Sequence, residues 1–119
     1  MGSKESAVMY PPVTVVESED WAKIMKIETA YDIHENIPYS TWGYRFTLRR
    51  NAGECRYQVF DDRSIAPVGV LVIYQDVNGC TSLRVEGRRA NVIRADVANA
   101  RVALDCLGEH TYREDHADG

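Results

Sequence analysis

The residues best suited to recognition in this chain are its arginines, and most are gathered in one stretch. Positions 41–104 hold 10 Arg and no Lys against 6 acidic residues; positions 1–40 hold 3 Lys against 7 acids, and positions 105–119 hold Arg113 against 5. The middle therefore carries a net +4 and each end a net −4. A guanidinium is planar, permanently charged and donates through a rigid fork, so it pairs well with carboxylates, phosphates and flat hydrogen-bonding surfaces. An arginine-only centre between acidic ends predicts a local surface for an anionic or planar partner.

Aromatic residues supply a second recognition element. Ile37-Pro38-Tyr39-Ser40-Thr41-Trp42-Gly43-Tyr44 places three aromatics, Tyr39, Trp42 and Tyr44, and two hydroxyls within eight residues. Such rings give contact area at low entropic cost, and the segment reads as a binding rim or as a loop folded over the core.

Catalytic patterns are sparse. His34-Glu35 offers a base beside a carboxylate, and Cys55 or Cys80 offers a nucleophile, but no spacing brings them together. His110, Asp115 and His116 lie in a polar stretch that fixes no metal geometry, so no metal site is expected. The three cysteines, Cys55, Cys80 and Cys106, are odd in number and form no CxxC pair, which signals neither a disulfide framework nor zinc. Phosphate-loop, dinucleotide, zinc-protease and serine-hydrolase motifs are all missing, and no cofactor is called for.

These residues must be positioned by one domain, given 119 residues with 45% hydrophobic and 27% charged content. No apolar run approaches the ~20 residues that span a bilayer. Met1 to Pro12 lacks a signal-peptide core, so a cytoplasmic protein with no membrane partner is expected. Gly2 and Ser6 match a loose myristoylation pattern, which is read here as an ordinary polar start. The domain is expected over 13–108, between a flexible tail at 1–12 and a frayed acidic tail at 109–119.

Within the domain, Val13 to Val16 reads as a strand, and Ser18 as the cap of a helix over about 19–31. A period-two pattern over Met25 to Ile33 offers a competing strand. After a loop at His34 to Thr41, Tyr44, Phe46 and Leu48 alternate with Arg45, Thr47 and Arg49. Across a turn at Asn51 to Glu54, Cys55, Tyr57 and Val59 alternate with Arg56, Gln58 and Phe60. Val68 to Tyr74 is apolar on both faces, as a central strand should be. Asn78-Gly79 suggests a two-residue type I′ turn into Leu83 and Val85, which alternate with Arg84 and Glu86. Ile93, Val97, Ala100, Leu104 and Leu107 form one helical stripe with Gly108 as a stop, or Asp96 caps a shorter helix preceded by an extended Ala90 to Arg94. A strand over Ala100 to Leu107 competes.

The expected fold is α+β, in the order β-α-β-β-β-β-α, with a four- or five-stranded, mainly antiparallel sheet and both helices on one face. An all-β sandwich is the alternative. Pleat parity would put Tyr44, Phe46, Leu48, Cys55, Tyr57, Val59, Leu83 and Val85 toward the helices. Arg45, Arg49, Arg56 and Arg84 would share the opposite face with Thr47, Gln58 and Glu86, either ion-paired in solvent or forming an anion-binding surface. The expected function is a small binding or regulatory module, as a monomer or homodimer, that meets a protein or anionic ligand through this face and the aromatic loop. Nucleic-acid binding by the same face is the second reading, opposed by the acidic ends and a pI near 5.3. The third is a small-molecule enzyme with a pocket between sheet and helices, using His34 or Glu28 as acid or base.

Overall fold

Leu71 and Ile73 on one side of a strand, and Val72 and Tyr74 on the other, are all buried, so this strand has neighbours along both edges and cover on both faces. It is β5 (Gly69–Gln75) in a computed structural model that describes residues 13–117. The tail expected over 1–12, with its Gly2–Ser6 pattern, lies outside the described residues. Before β5 come β1 (Thr14–Val15), α1 (Trp21–Ala30), β2 (Tyr39–Thr41), β3 (Tyr44–Arg50) and β4 (Arg56–Asp61). After it come β6 (Thr81–Gly87), β7 (Val92–Val97) and α2 (Ala100–Asp115).

The fold is α+β, with two more strands than expected. β2 to β7 form an antiparallel meander in sequence order, and β1 adds to β5 on the edge that β4 leaves free beyond Arg56. The additions are β2, expected as loop, and β7, whose Ile93 and Val97 fall on the helical stripe by coincidence of spacing. α2 touches β2 near one rim and β6 and β7 at the other. Six strands laid flat would span roughly 24 Å, more than twice a helix diameter. The sheet therefore curls around α2. Close approach is possible because Gly69 has no side chain: a Cβ there would lie 2.8 Å from the Glu86 carbonyl and from a Leu107 methyl.

Both helices pack on the concave face. α1 buries Ile24, and Glu28 accepts a 2.7 Å hydrogen bond from the Tyr57 hydroxyl. Its cap is Asp20, which accepts from Ala22 N, while Ser18 accepts from Asp20 N one step earlier. α2 is capped by Asn99, which accepts from Val102 N, and not by Asp96. Asp96 instead lies within β7, one residue before its end, at φ +60° and accepts from Ser82. Nor does α2 stop at Gly108. Thr111 is buried one turn later, and the helix continues through seven residues of the expected frayed tail.

The hairpins differ in turn chemistry. At Asn78-Gly79 only Gly79 has positive φ; Asp76 accepts from Asn78 N and Cys80 N, which produces a longer loop. The tight two-residue turn is Trp42-Gly43, with φ of +52° and +82°, between the paired residues Thr41 and Tyr44. Two consecutive positive φ values are the mark of a type I′ hairpin, but a bulky residue is costly there.

Candidate functional site

The four predicted arginines share a face. Arg49 pairs across the sheet with Gln58, Gln58 with Val70, and Val70 with Glu86; Arg56 pairs with Val72, and Val72 with Arg84. Cross-strand partners project from the same side. Arg45, two pleats before Arg49, projects likewise, and all eight predicted inward residues are buried on the other side. No described helix covers the arginine face, where Val72 and Tyr74 are shielded by neighbouring side chains such as Arg84.

The arginines share that face without converging. From the pairing, Arg45 and Arg84 lie three strands and about six residues apart, roughly 25 Å at ordinary sheet spacings. Arg84 forms a 2.6 Å ion pair with Glu86, both side chains only about 15% exposed, and its guanidinium lies 5.5 Å from the Tyr74 ring. Arg56 approaches Glu54 at 3.4 Å without hydrogen-bond alignment at its Nε. Arg49 lies 5.6 Å from the Phe60 ring, and Arg45 is exposed with no ion pair or hydrogen bond among the described residues. Two charges are thus offset locally, while Arg45 and Arg49 remain available.

The aromatic segment belongs elsewhere. Tyr39 is buried; its hydroxyl accepts from His34 N at 2.8 Å and donates to the Asp32 carbonyl at 2.9 Å. It ties a loop down and meets nothing outside. Trp42 and Tyr44 lie on the helix side of the sheet. Trp42, 46% exposed, packs on Tyr112 with ring centres 5.4 Å apart, and Tyr112 stacks on His116 at 4.1 Å. Its Cβ and Cδ1 lie within 3.2 Å of where a Gly108 side chain would start. Gly108 thus admits the turn to the helix surface.

Between this turn and the last turn of α2 is an open cleft of about 310 Å³. Tyr44 donates a 2.6 Å hydrogen bond to Asp115 Oδ2. Burial, then that carboxylate, push its phenol up to about 12. Asp61 is 9% exposed, and its Oδ1 has no hydrogen-bond partner among the described residues. Burial foremost, and then a hydrogen bond with Asp62, raise its carboxyl above the ordinary range, against the pull of Arg63. Arg63 Nη2 is 3.7 Å from Asp61 Oδ2, Arg63 Nε is 3.9 Å from Asp62, and the guanidinium stands 5.5 Å from the Tyr44 ring. A second hollow of about 430 Å³ adjoins the same Trp42, Tyr112 and His116.

Sequence reasoning did not single out Asp61, Arg63 or Tyr112, and weighed Asp115 only as a metal ligand in the expected tail. Thr111, four residues past Leu107 in the same stripe, was the available signal that the helix continues.

The remaining candidates are dispersed. His34 pairs with Asp32 at 2.8 Å on the surface, and Glu35 accepts from Arg50 N. Cys55 is fully buried, which pushes its thiol up and makes it a poor nucleophile. Cys80 is exposed in its hairpin loop, and Cys106 lies 3.6 Å from Arg94. His110 pairs with Glu114, and His116 meets the Tyr112 carbonyl. Among the described residues no three His, Cys, Asp or Glu side chains group as a metal site, and no helix is long and apolar enough to cross a membrane. Neither His34 nor Glu28 lines the cleft. No protein-family model matches the chain, and the comparisons with curated proteins and with solved structures likewise return no match.

Proposed function

We propose that this chain is a small binding domain whose uncovered sheet face recognises an acidic segment of a partner protein. The observation that carries the reading is the cross-strand register that aligns Arg45, Arg49, Arg56 and Arg84 on one side of a continuous sheet. A spread of roughly 25 Å is too wide to close on one small anion and suits an extended partner. Thr47, Gln58, Phe60 and Val70 lie between the charges and are only half-buried, so the surface mixes apolar, amide and guanidinium groups. Arginine-rich mixed surfaces of this kind are favoured at protein interfaces. A polyphosphate chain would meet the same arginines, and the salt dependence of binding tells the two partners apart.

The test is a titration with a fluorescent polyglutamate peptide and, separately, a DNA duplex. Peptide binding that Arg45→Glu/Arg49→Glu weakens at least tenfold, with unfolding still cooperative, supports the reading. Tighter binding to DNA, with a salt slope near 0.9 per phosphate contact, would replace it with nucleic-acid recognition. Binding to neither removes it.

A further inference from the structure

We propose that the cleft between the Trp42-Gly43 turn and the end of α2 is a binding site for a small planar cation, such as an amidine, guanidine or protonated amino-heterocycle. This goes beyond the sheet-face reading and is independent of it, because the two sites lie on opposite sides of the sheet.

Shape comes first. A volume near 310 Å³ is at the low end for small-molecule sites and suits one ring with a short substituent. One wall is the exposed Trp42 indole; Tyr112 continues it, and the Tyr44 ring forms part of the lining. Flat faces of this kind favour a flat guest, and the negative face of an aromatic ring favours a cation.

Charge points the same way. The cleft is lined by the carboxyls of Asp61 and Asp115 against the Arg63 guanidinium, which already faces both Asp61 and Asp62, and the His116 imidazole, whose Nδ1 meets the Tyr112 carbonyl. An anion would meet two acids; a cation meets two acceptors. Asp61 is the more telling, being nine-tenths buried with one oxygen, Oδ1, that lacks a hydrogen-bond partner among the described residues. A buried carboxyl short of hydrogen bonds destabilises the fold, and a cation in the cleft would offset its charge even though the orphan oxygen itself has almost no accessible surface.

Backbone strain adds an independent observation. Trp42 is held at φ +52°, a conformation that costs a residue with a side chain about 1–2 kcal/mol, where Asn, Asp or Gly would be easily accommodated. Gly108, despite its poor helix propensity, stands inside α2 where the indole needs space. Both departures from local preference serve one end, which is to set the indole against the last turns of the helix. Strain concentrated beside an unsatisfied acid marks a site more than a core.

The experiment uses the full chain carrying Trp21→Phe, so that Trp42 is the sole indole, and follows its fluorescence on titration with benzamidine. Saturable change at a Kd of about 1 mM or tighter is expected. Asp61→Asn should weaken it at least tenfold while the thermal midpoint holds or rises, so the loss cannot come from unfolding. Benzoate, flat but anionic, and cyclohexylammonium, cationic but not flat, should each bind at least tenfold more weakly. No saturation, equal binding of either control, or an unchanged Kd in Asp61→Asn would each overturn the proposal. Arg45→Glu/Arg49→Glu should leave benzamidine binding unaltered, so failure of the sheet-face reading and failure of this one are separately visible.

Discussion

The two surfaces of the curled sheet use similar residue types in opposite ways. On the convex side, Arg56 and Arg84 find their carboxylates two residues away, at Glu54 and Glu86, so each charge is offset within its own hairpin. In the cleft Arg63 pairs locally with Asp61 and Asp62. The contact that closes it, however, comes from far along the chain: Tyr44 and Asp115 are 71 residues apart, and elsewhere on α2 Thr41 donates to Asp105 across 64. The convex face therefore needs only local pairing, whereas the cleft exists only if α2 closes on the sheet. Changes that disturb closure should damage the cleft and spare the arginine face.

The largest effect is expected from Gly69→Ala. The new methyl would meet the Glu86 carbonyl and Leu107 at 2.8 Å, lifting α2 from β5, and should cost about 2–3 kcal/mol in urea unfolding. Gly108→Ala meets only the Thr41 and Trp42 side chains, at 3.0–3.2 Å, and gains about 1 kcal/mol of helix propensity. It should change stability by less than about 1 kcal/mol while altering Trp42 fluorescence. Equal losses in the two would show that the turn is as unyielding as the sheet.

Alkaline titration comes next. Tyr44 has a folded pKa raised to about 12 from 10, so its neutral form belongs to the folded state. Its stabilising share is complete below pH 10 and is lost as pH rises toward 12. Tyr44→Phe should make the decline in thermal midpoint over that window shallower than in the unaltered chain. Parallel curves would detach Tyr44 from the closure.

Asp61→Asn should raise stability at pH 7 by about 1 kcal/mol, since it removes a buried charge with an unsatisfied oxygen. The folded carboxyl holds its proton more tightly than the unfolded one, so the unaltered chain gains stability as pH falls through the raised pKa toward 3.8. The advantage of the Asn variant should shrink accordingly. The smallest effect belongs to the convex side: Glu54→Gln should shift stability by less than about 0.5 kcal/mol, because its ion pair is partly exposed, long and unaligned for a hydrogen bond. A larger loss there would mean that the arginine face helps hold the fold.

Why one surface was legible in the sequence and the other was not follows from the same contrast. Side chains alternate strictly along a strand, so Arg45, Arg49, Arg56 and Arg84 could be assigned to one side before any register was known. β5 declared itself by being apolar on both faces. The cleft depends on a Trp in a turn position that such residues rarely take, and on a glycine that ordinarily ends helices but here lies inside one. In both places tertiary packing overrides local propensity, and a single sequence carries little record of that. Asp61 and Asp115 were visible as acids; their meeting around Tyr44 was not.

The rims of the sheet set a further condition on how copies of this chain can meet. β2 is only three residues long, and beyond it Asn36 donates to the Leu48 carbonyl while Glu35 accepts from Arg50 N, so that margin is largely occupied. β7 has two register breaks and a left-handed Asp96. Neither margin offers a long regular ladder for strand-to-strand growth, which protects a curled sheet from templating fibres. Self-association at these two rims has to proceed through side chains.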